Sequence, residues 1–403
     1  MQLSIVALAA ACRGSAARSA MPTDRRPSVG PLTFAVVADL HFGLARARFQ
    51  GDTAVAAARV NAALARSLRA VRTIRFPADG GVAAGQPVGV LAAVAVAGDI
   101  ANRAEGGVQP GATSWEEFLN VFVAPLERAV PRIPVYVAAG NHDASNAVGF
   151  TPTLMPPTDT APMSGLRVRM PGVRRDTLRP FDYRRDRIHF VVDLGGVQLM
   201  VLHIWPDSEE RRWMEQELAM IPDSVPVLLL THDPPVPDVK HFLPREGETG
   251  NEGFQSLLAE RWAPLAERRG LPGMDGPEAS GTYAAFLALL ARHRNVRAYF
   301  HGHVNYTEFY DIRDDDRQVS VPAFRVDSPL KGRDSANDDA RLSYLIVSVA
   351  TDRQTMTVRE YRWSAPAELR WGPRCTVPLR ALQATGEAPR IRSCTANQQV
   401  PPG

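Results

Sequence analysis

Five short apolar runs in this chain each end in side chains that can bind a metal or move a proton. The run 33–39 ends in Asp39-Leu40-His41, 88–98 in Gly98-Asp99, and 134–139 in Gly140-Asn141-His142-Asp143. The run 226–231 ends in His232-Asp233, and 297–300 in His301-Gly302-His303-Val304-Asn305. Apolar runs this short fit buried strands. Amphipathic stretches lie between them. Val60, Leu64, Leu68 and Val71 share one face of a helix expected to begin near Asp52. Trp115, Phe118, Leu119, Phe122, Val123 and Leu126 share a second, with Ser114 and Glu117 at capping-box spacing. Tyr283, Phe286, Leu287 and Leu290 mark a third. Their aromatic rings read as core. Segments 188–193 and 197–203 flank Leu194-Gly195-Gly196 as a hairpin, and 344–349 and 356–361 form a second strand pair. Strands interleaved with helices predict an α/β fold.

In such folds the carboxyl ends of parallel strands share one edge, and ligands bind there. Five segments would therefore deliver Asp, His and Asn to one rim. Oxygen and nitrogen donors converging there suit divalent transition metals. Singly, each piece is ordinary: a histidine at a strand end usually hydrogen-bonds on the rim, and Gly-Asp is a common turn. The ordered set is not ordinary. Four of the nine histidines, His41, His142, His232 and His303, sit in it. The adjoining glycines permit tight turns and close backbone approach.

The series Asp39-x-His41, Gly98-Asp99, Gly140-Asn141-His142-Asp143, His232 and Gly302-His303-x-Asn305 resembles the calcineurin-like metallophosphoesterase superfamily over residues 33–305. The resemblance implies a four-layer α/β/β/α sandwich of the metallophosphoesterase type, with two divalent metal ions (Mn, Fe or Zn) at the sheet edge. It implies a hydrolase acting on a small-molecule phosphate monoester or diester, a phosphatase or phosphodiesterase. The attacking group would be a metal-bridging hydroxide, with no phosphorylated enzyme. By position, Asp39 and His41 would bind the first metal, Asp99 would bridge both, and Asn141, His232 and His303 would bind the second. His142 would protonate the leaving oxygen, and a His pKa near 6.5 suits that task. With Asp99 it forms the catalytic pair.

One residue departs from the pattern. The family's last motif ends in a second histidine, a ligand of the first metal, and here that position is Asn305. An amide oxygen binds most transition metals more weakly than imidazole. His301 reads as a strand residue and His203 as support for the ligands. His189, His241 and His293 have no motif context. The rival reading is a degenerate family member, a metal-stabilised binding protein. Intact Asp99 and His142 argue against it.

Composition bounds the rest. The 403 residues are 45% hydrophobic and 22% charged, a globular balance. Net charge is +3, too small to propose a nucleic-acid or membrane partner. Only Lys240 and Lys331 are lysines, so nearly all basic residues are Arg, which reads as compositional bias. No apolar run is long enough to cross a membrane. The short apolar segment from Met1 to Cys12, followed by a polar, Pro-containing stretch, resembles a secretory signal peptide, with Cys12 placed like a lipoprotein acceptor. Export follows as an expectation: periplasmic, lipid-anchored or secreted. Cys375 and Cys394 would then be free to pair. The expected organisation is a signal-like or disordered segment at 1–30, a metallophosphoesterase domain at 31–365, and a tail at 366–403. Insertions near 144–180 and 234–281 interrupt the domain. Oligomeric state is left open.

Overall fold

The structure is a computed structural model that describes residues 30–102, 109–144, 160–173, 179–182, 185–238, 241–242, 258, 260, 281–314, 319–380 and 394. The N-terminal segment with Cys12, most of both expected insertions and most of the tail after residue 380 lie outside the described residues.

Two six-stranded sheets form the centre. The first runs β14(Trp371–Pro378), β13(Thr355–Arg362), β12(Ser343–Val349), β1(Leu32–Val37), β4(Val94–Val96), β5(Val135–Val137). The second runs β10(Glu308–Arg313), β11(Ser320–Arg325), β9(Val296–His301), β8(Val227–Leu230), β7(Gln198–Val201), β6(Phe190–Asp193). Strands β1, β4 and β5 are parallel, with Ala35 opposite Val94 and Val94 opposite Val135. Strands β7, β8, β9 and β11 are parallel too. Parallel strands covered on both faces read as continuous apolar runs, and every residue of β1 and β8 is buried.

Side-chain alternation divides the core. Phe34 and Val36 of β1 join Leu228 and Leu230 of β8 and Phe300 of β9 between the sheets. There the Phe34 and Phe300 rings meet edge-on at 6.3 Å. Ala35 and Val37 point the other way, among helical side chains. Helix α1(Ala57–Ala70) lies on that outer face, its Ser67 hydroxyl 3.3 Å from the Tyr344 hydroxyl of β12. The helix Thr282–Arg292 covers the outer face of the second sheet through Phe286, 6.0 Å from Tyr299 of β9. The molecule is thus mixed α/β.

Three local expectations differ from the structure. The first helix does not begin near Asp52. Residues Asp52–Ala56 form β3, antiparallel to β2(Ala45–Phe49), and α1 starts at Ala57. The hairpin closes through Gln50 and Gly51, both at positive φ, as a two-residue turn requires. Ser114 does not cap the second helix. That helix, α2(Gly111–Glu117), starts at Gly111 after Pro110. The Ser114 hydroxyl sits inside it and donates to the Phe42 carbonyl at 2.9 Å. The same helical stretch continues through a π-helical segment, Phe118–Val123, whose Phe118 and Phe122 rings stack at 5.8 Å. Finally, residues 371–378, assigned to the tail by their weak pattern, form β14 at the edge of the first sheet. Cys375 of that strand is disulfide-bonded to Cys394.

Candidate metal centre

The ends of β1, β4 and β5 in one sheet, and of β8 and β9 in the other, meet at one rim. Side-chain contacts cross between the sheets. His232 Nδ1 lies 2.9 Å from the Ala97 carbonyl, and the Asp39 carboxylate accepts the His303 N–H at 3.1 Å. The His142 N–H donates to Asp99 Oδ1 at 2.8 Å.

The backbone is bent hard to achieve this. Asp39, His41, Asp99, His303 and Asn305 all have positive φ, between 42° and 72°. Non-glycine residues rarely adopt that region, and such outliers cluster at functional sites. Two glycines supply space that no other residue offers. A Cβ at Gly302 would collide with the Asp39 carboxylate, and one at Gly140 with Asp99.

Asp99 Oδ2 sits between two imidazoles, 3.7 Å from His41 Nε2 and 3.4 Å from His232 Nε2. Asp39 Oδ1 is 3.8 Å from the same His41 nitrogen. His232 Nε2 also faces the Asn141 amide oxygen at 2.9 Å and His303 Nδ1 at 3.1 Å. The structure thus gathers Asp39, His41, Asp99, Asn141, His142, His232 and His303. The His142 ring, half-buried, packs edge-on against His41 at 4.8 Å. Asn305 is adjacent. Its amide nitrogen donates to the His303 carbonyl at 3.1 Å, and its oxygen is buried without a hydrogen-bond partner among the described residues.

Charge in the site is badly balanced without a cation. Burial and the neighbouring Asp99 push the Asp39 carboxyl well above the usual carboxylate range. Burial and Asp99 likewise raise Asp143 to about 8. Burial opposes the charge on Asp99 as well, but the imidazoles of His232, His142 and His41 outweigh it and hold that carboxyl far below the usual range. Burial disfavours a charged His303, yet Asp233, Asp238, Asp99 and Asp39 raise it to about 9. Buried carboxylates, facing imidazole nitrogens and an orphaned amide oxygen fit a divalent metal: each donor is of a type such ions take, and the ion's charge offsets the carboxylates.

Several neighbours have no role assigned from the sequence. Asp143 accepts N–H bonds from Ala101 and Gly140, which braces two of the strand-end loops. Asp233 pairs with His241, 2.5 Å away. Asp238 Oδ2 is 3.8 Å from His303 Nε2. The Lys331 ammonium is 3.4 Å from both His142 Nε2 and the Asn102 amide oxygen. Asp143 belongs to the Gly140–Asp143 motif and Asp233 directly follows His232, a usable signal for a role that the sequence alone does not assign; His241 and Lys331 carry none. The other histidines are structural. His301 Nε2 bonds the Tyr310 hydroxyl at 2.6 Å. His203 accepts the Ile188 N–H at 3.2 Å, a contact away from the ligands.

A family model described as calcineurin-like phosphoesterase matches residues 32–305. The chain belongs to the calcineurin-like phosphoesterase family. The match spans all five strand-end motifs. Among solved structures, a dimetal phosphatase from Danio rerio is 11% identical, with 87% of this chain and 99% of that chain covered and a TM-score of 0.45. The phosphopantetheinyl hydrolase of Mycobacterium tuberculosis is 12% identical, with 74% and 90% covered and a TM-score of 0.31. No curated protein matches the chain. Members of the family are metal-dependent, and the His and Asp groups of this chain offer candidate metal sites.

Proposed function

We propose that the chain is a dinuclear metal-dependent phosphoesterase acting on a small phosphate monoester or diester. The observation that carries the reading is the Asp99 carboxylate lodged between His41 and His232, at 3.7 and 3.4 Å. One carboxylate shared by two donor groups is how a protein sets the spacing of a metal pair. Asp39 and His41, with Asn305, would hold the first ion; Asn141, His232 and His303 would hold the second. When bound, two divalent ions would neutralise phosphoryl charge and make hydroxide available near neutral pH.

The chain's own groups do the rest. Asn141 brings a neutral oxygen, so the protein adds less negative charge opposite an anionic substrate. His142 has its main chain fixed on Asp99 and its ring half-exposed at the mouth. It is placed to give a proton to the departing oxygen. Lys331, beside it, adds a cation on the substrate side. The discriminating experiment strips the protein with a chelator, restores Mn2+, and follows an aryl phosphate and a bis-aryl phosphate. Metal-dependent turnover of either is expected. Metal binding without turnover of any phosphate ester would favour the rival, a metal-stabilised binding protein.

We further propose export from the cytoplasm. The support is the signal-like segment ending at Cys12 and the Cys375–Cys394 disulfide, a bond that persists in oxidising compartments. Mass spectrometry of protein from its native compartment tests both. An unprocessed Met1 and two free thiols would contradict export.

A further inference from the structure

Asp233 is fully buried and follows His232 directly. Its two oxygens have different surroundings. Oδ2 is held by His241 Nδ1 at 2.5 Å. Among the described residues, Oδ1 is buried with no hydrogen-bond partner. A carboxylate oxygen left so inside a protein is costly unless something else satisfies it. Its neighbours are the two imidazoles of the second metal site. His303 Nδ1 lies 3.9 Å from Oδ1 and 3.1 Å from His232 Nε2. Ligand atoms of His232, Asp233 and His303 all fall within 4.8 Å of one another. Donors on one transition-metal ion lie about 2.0–2.2 Å from it, so their mutual separations reach roughly 4.4 Å. The trio would close on an ion with small shifts.

We infer that Asp233 is an additional carboxylate ligand of the second metal, bound through Oδ1, with His241 as the positioning residue that holds Oδ2. This deepens the dinuclear reading and rests on it. The remaining contacts agree with the assignment. Asp238 sits 3.8 Å from His303 Nε2, so one side of that ring faces a carboxylate while Nδ1 faces His232 and Asp233. A carboxylate on the far nitrogen of a ligating histidine fixes its orientation. Tyr299 pins the Asp233 backbone by donating its hydroxyl to the Asp233 carbonyl at 2.8 Å. A second carboxylate, added to Asp99, makes this site more oxygen-rich and more negative. Such a donor set favours a harder ion, Mn2+ over Zn2+, relative to a site of two histidines, one amide and a single carboxylate.

The test is a Mn2+ titration of the chelator-stripped full chain, read by calorimetry and elemental analysis rather than by turnover. Asp233→Asn keeps size and shape. It is expected to bind one of the two ions at least about ten-fold more weakly than the unaltered protein, the scale on which changes around a metal act. His241→Ala should weaken the same ion, by less. Wild-type affinity for both ions in Asp233→Asn would overturn the role of Asp233 while leaving the dinuclear reading intact. Failure of the unaltered protein to bind any divalent ion would overturn both. Should Asp233→Asn not fold, crystals of the unaltered protein grown with Mn2+ decide. An ion within about 2.4 Å of Asp233 Oδ1 supports the assignment, and one beyond about 3 Å contradicts it.

Discussion

The carboxylate of Asp39 accepts the main-chain N–H of His303, at 3.1 Å through Oδ2 and 3.3 Å through Oδ1. Asp39 follows β1 in one sheet and His303 follows β9 in the other. One candidate ligand therefore ties together the two loops that carry the first and last motifs. Both residues sit at positive φ, 56° and 72°, and the bond between them is part of what keeps the strained turns in place.

Asp39→Asn separates these two duties. The amide oxygen can still accept from His303, but the charge that burial and Asp99 oppose is gone. The metal-stripped variant should melt no lower than the unaltered protein and up to about 4 °C higher, the scale of 1 kcal/mol in a domain of this class. Its affinity for the first ion should fall at least about ten-fold. Thermal melts in chelator and a Mn2+ titration measure both. A lower melting point with unchanged metal affinity would contradict the assignment.

His142→Ala should keep its metals and lose turnover. Loss of a positioned proton donor lowers rate by about 10²–10⁴-fold. The defect should shrink for substrates whose leaving group needs no proton, so an aryl ester with an acidic phenol suffers least. Loss of metal from this variant, read by elemental analysis, would show that His142 is a ligand instead.

Stability of the metal-stripped protein should fall as pH rises from about 6.5 to 9. Asp143 and Asp327, both raised to about 8 chiefly by burial, keep protons that the unfolded chain has already released. His303, raised to about 9 against burial by Asp233, Asp238 and other carboxylates, behaves alike above its ordinary value near 6.5. In each case the folded state holds more protons, so stability is lost as pH climbs through the folded value. Below about 6.5 the buried neutral His203 and His301 act in the opposite direction, which sets the lower limit of the window. Divalent ions replace the protons on the ligand groups, so added Mn2+ should flatten the slope. Melting temperature against pH, with chelator and with Mn2+, reports this. A stripped protein that gains stability between pH 7 and about 9 would refute it.

Asn305 should make the first site the weaker of the two. Its oxygen is buried and has no partner among the described residues, while its nitrogen is fixed on the His303 carbonyl. Turnover should therefore rise with added metal when one equivalent is already bound. Asn305→His should tighten the first ion, and Asn305→Ala should weaken it. Two ions held equally tightly, with neither affinity nor turnover altered in Asn305→Ala, would remove Asn305 from the site.

How much of this was legible in the sequence depended on how local the cause was. The five strand ends announced themselves because a buried parallel strand must be apolar and its carboxyl end need not be. His241 was invisible because its partner, Asp233, lies across a loop with no periodicity, and only the folded chain brings them to 2.5 Å. Lys331 is one of only two lysines, yet its place beside His142 comes from a distant turn anchored by the Ser328 hydroxyl, which donates to the Asp39 carbonyl. The sequence points to a helix start near Asp52, and not to the hairpin, because Gln50-Gly51 is an uncommon hairpin turn pair. Ser114 was misread because its hydroxyl serves the Phe42 carbonyl and not its own helix.

The central claim is that one carboxylate, Asp99, joins two metal sites. The direct measurement is the metal content of Asp99→Ala beside the unaltered protein, after saturation with Mn2+ and removal of free ion. Two ions per chain are expected in the unaltered protein and fewer than one in the variant, with turnover lost in step. Two ions retained in Asp99→Ala would contradict it.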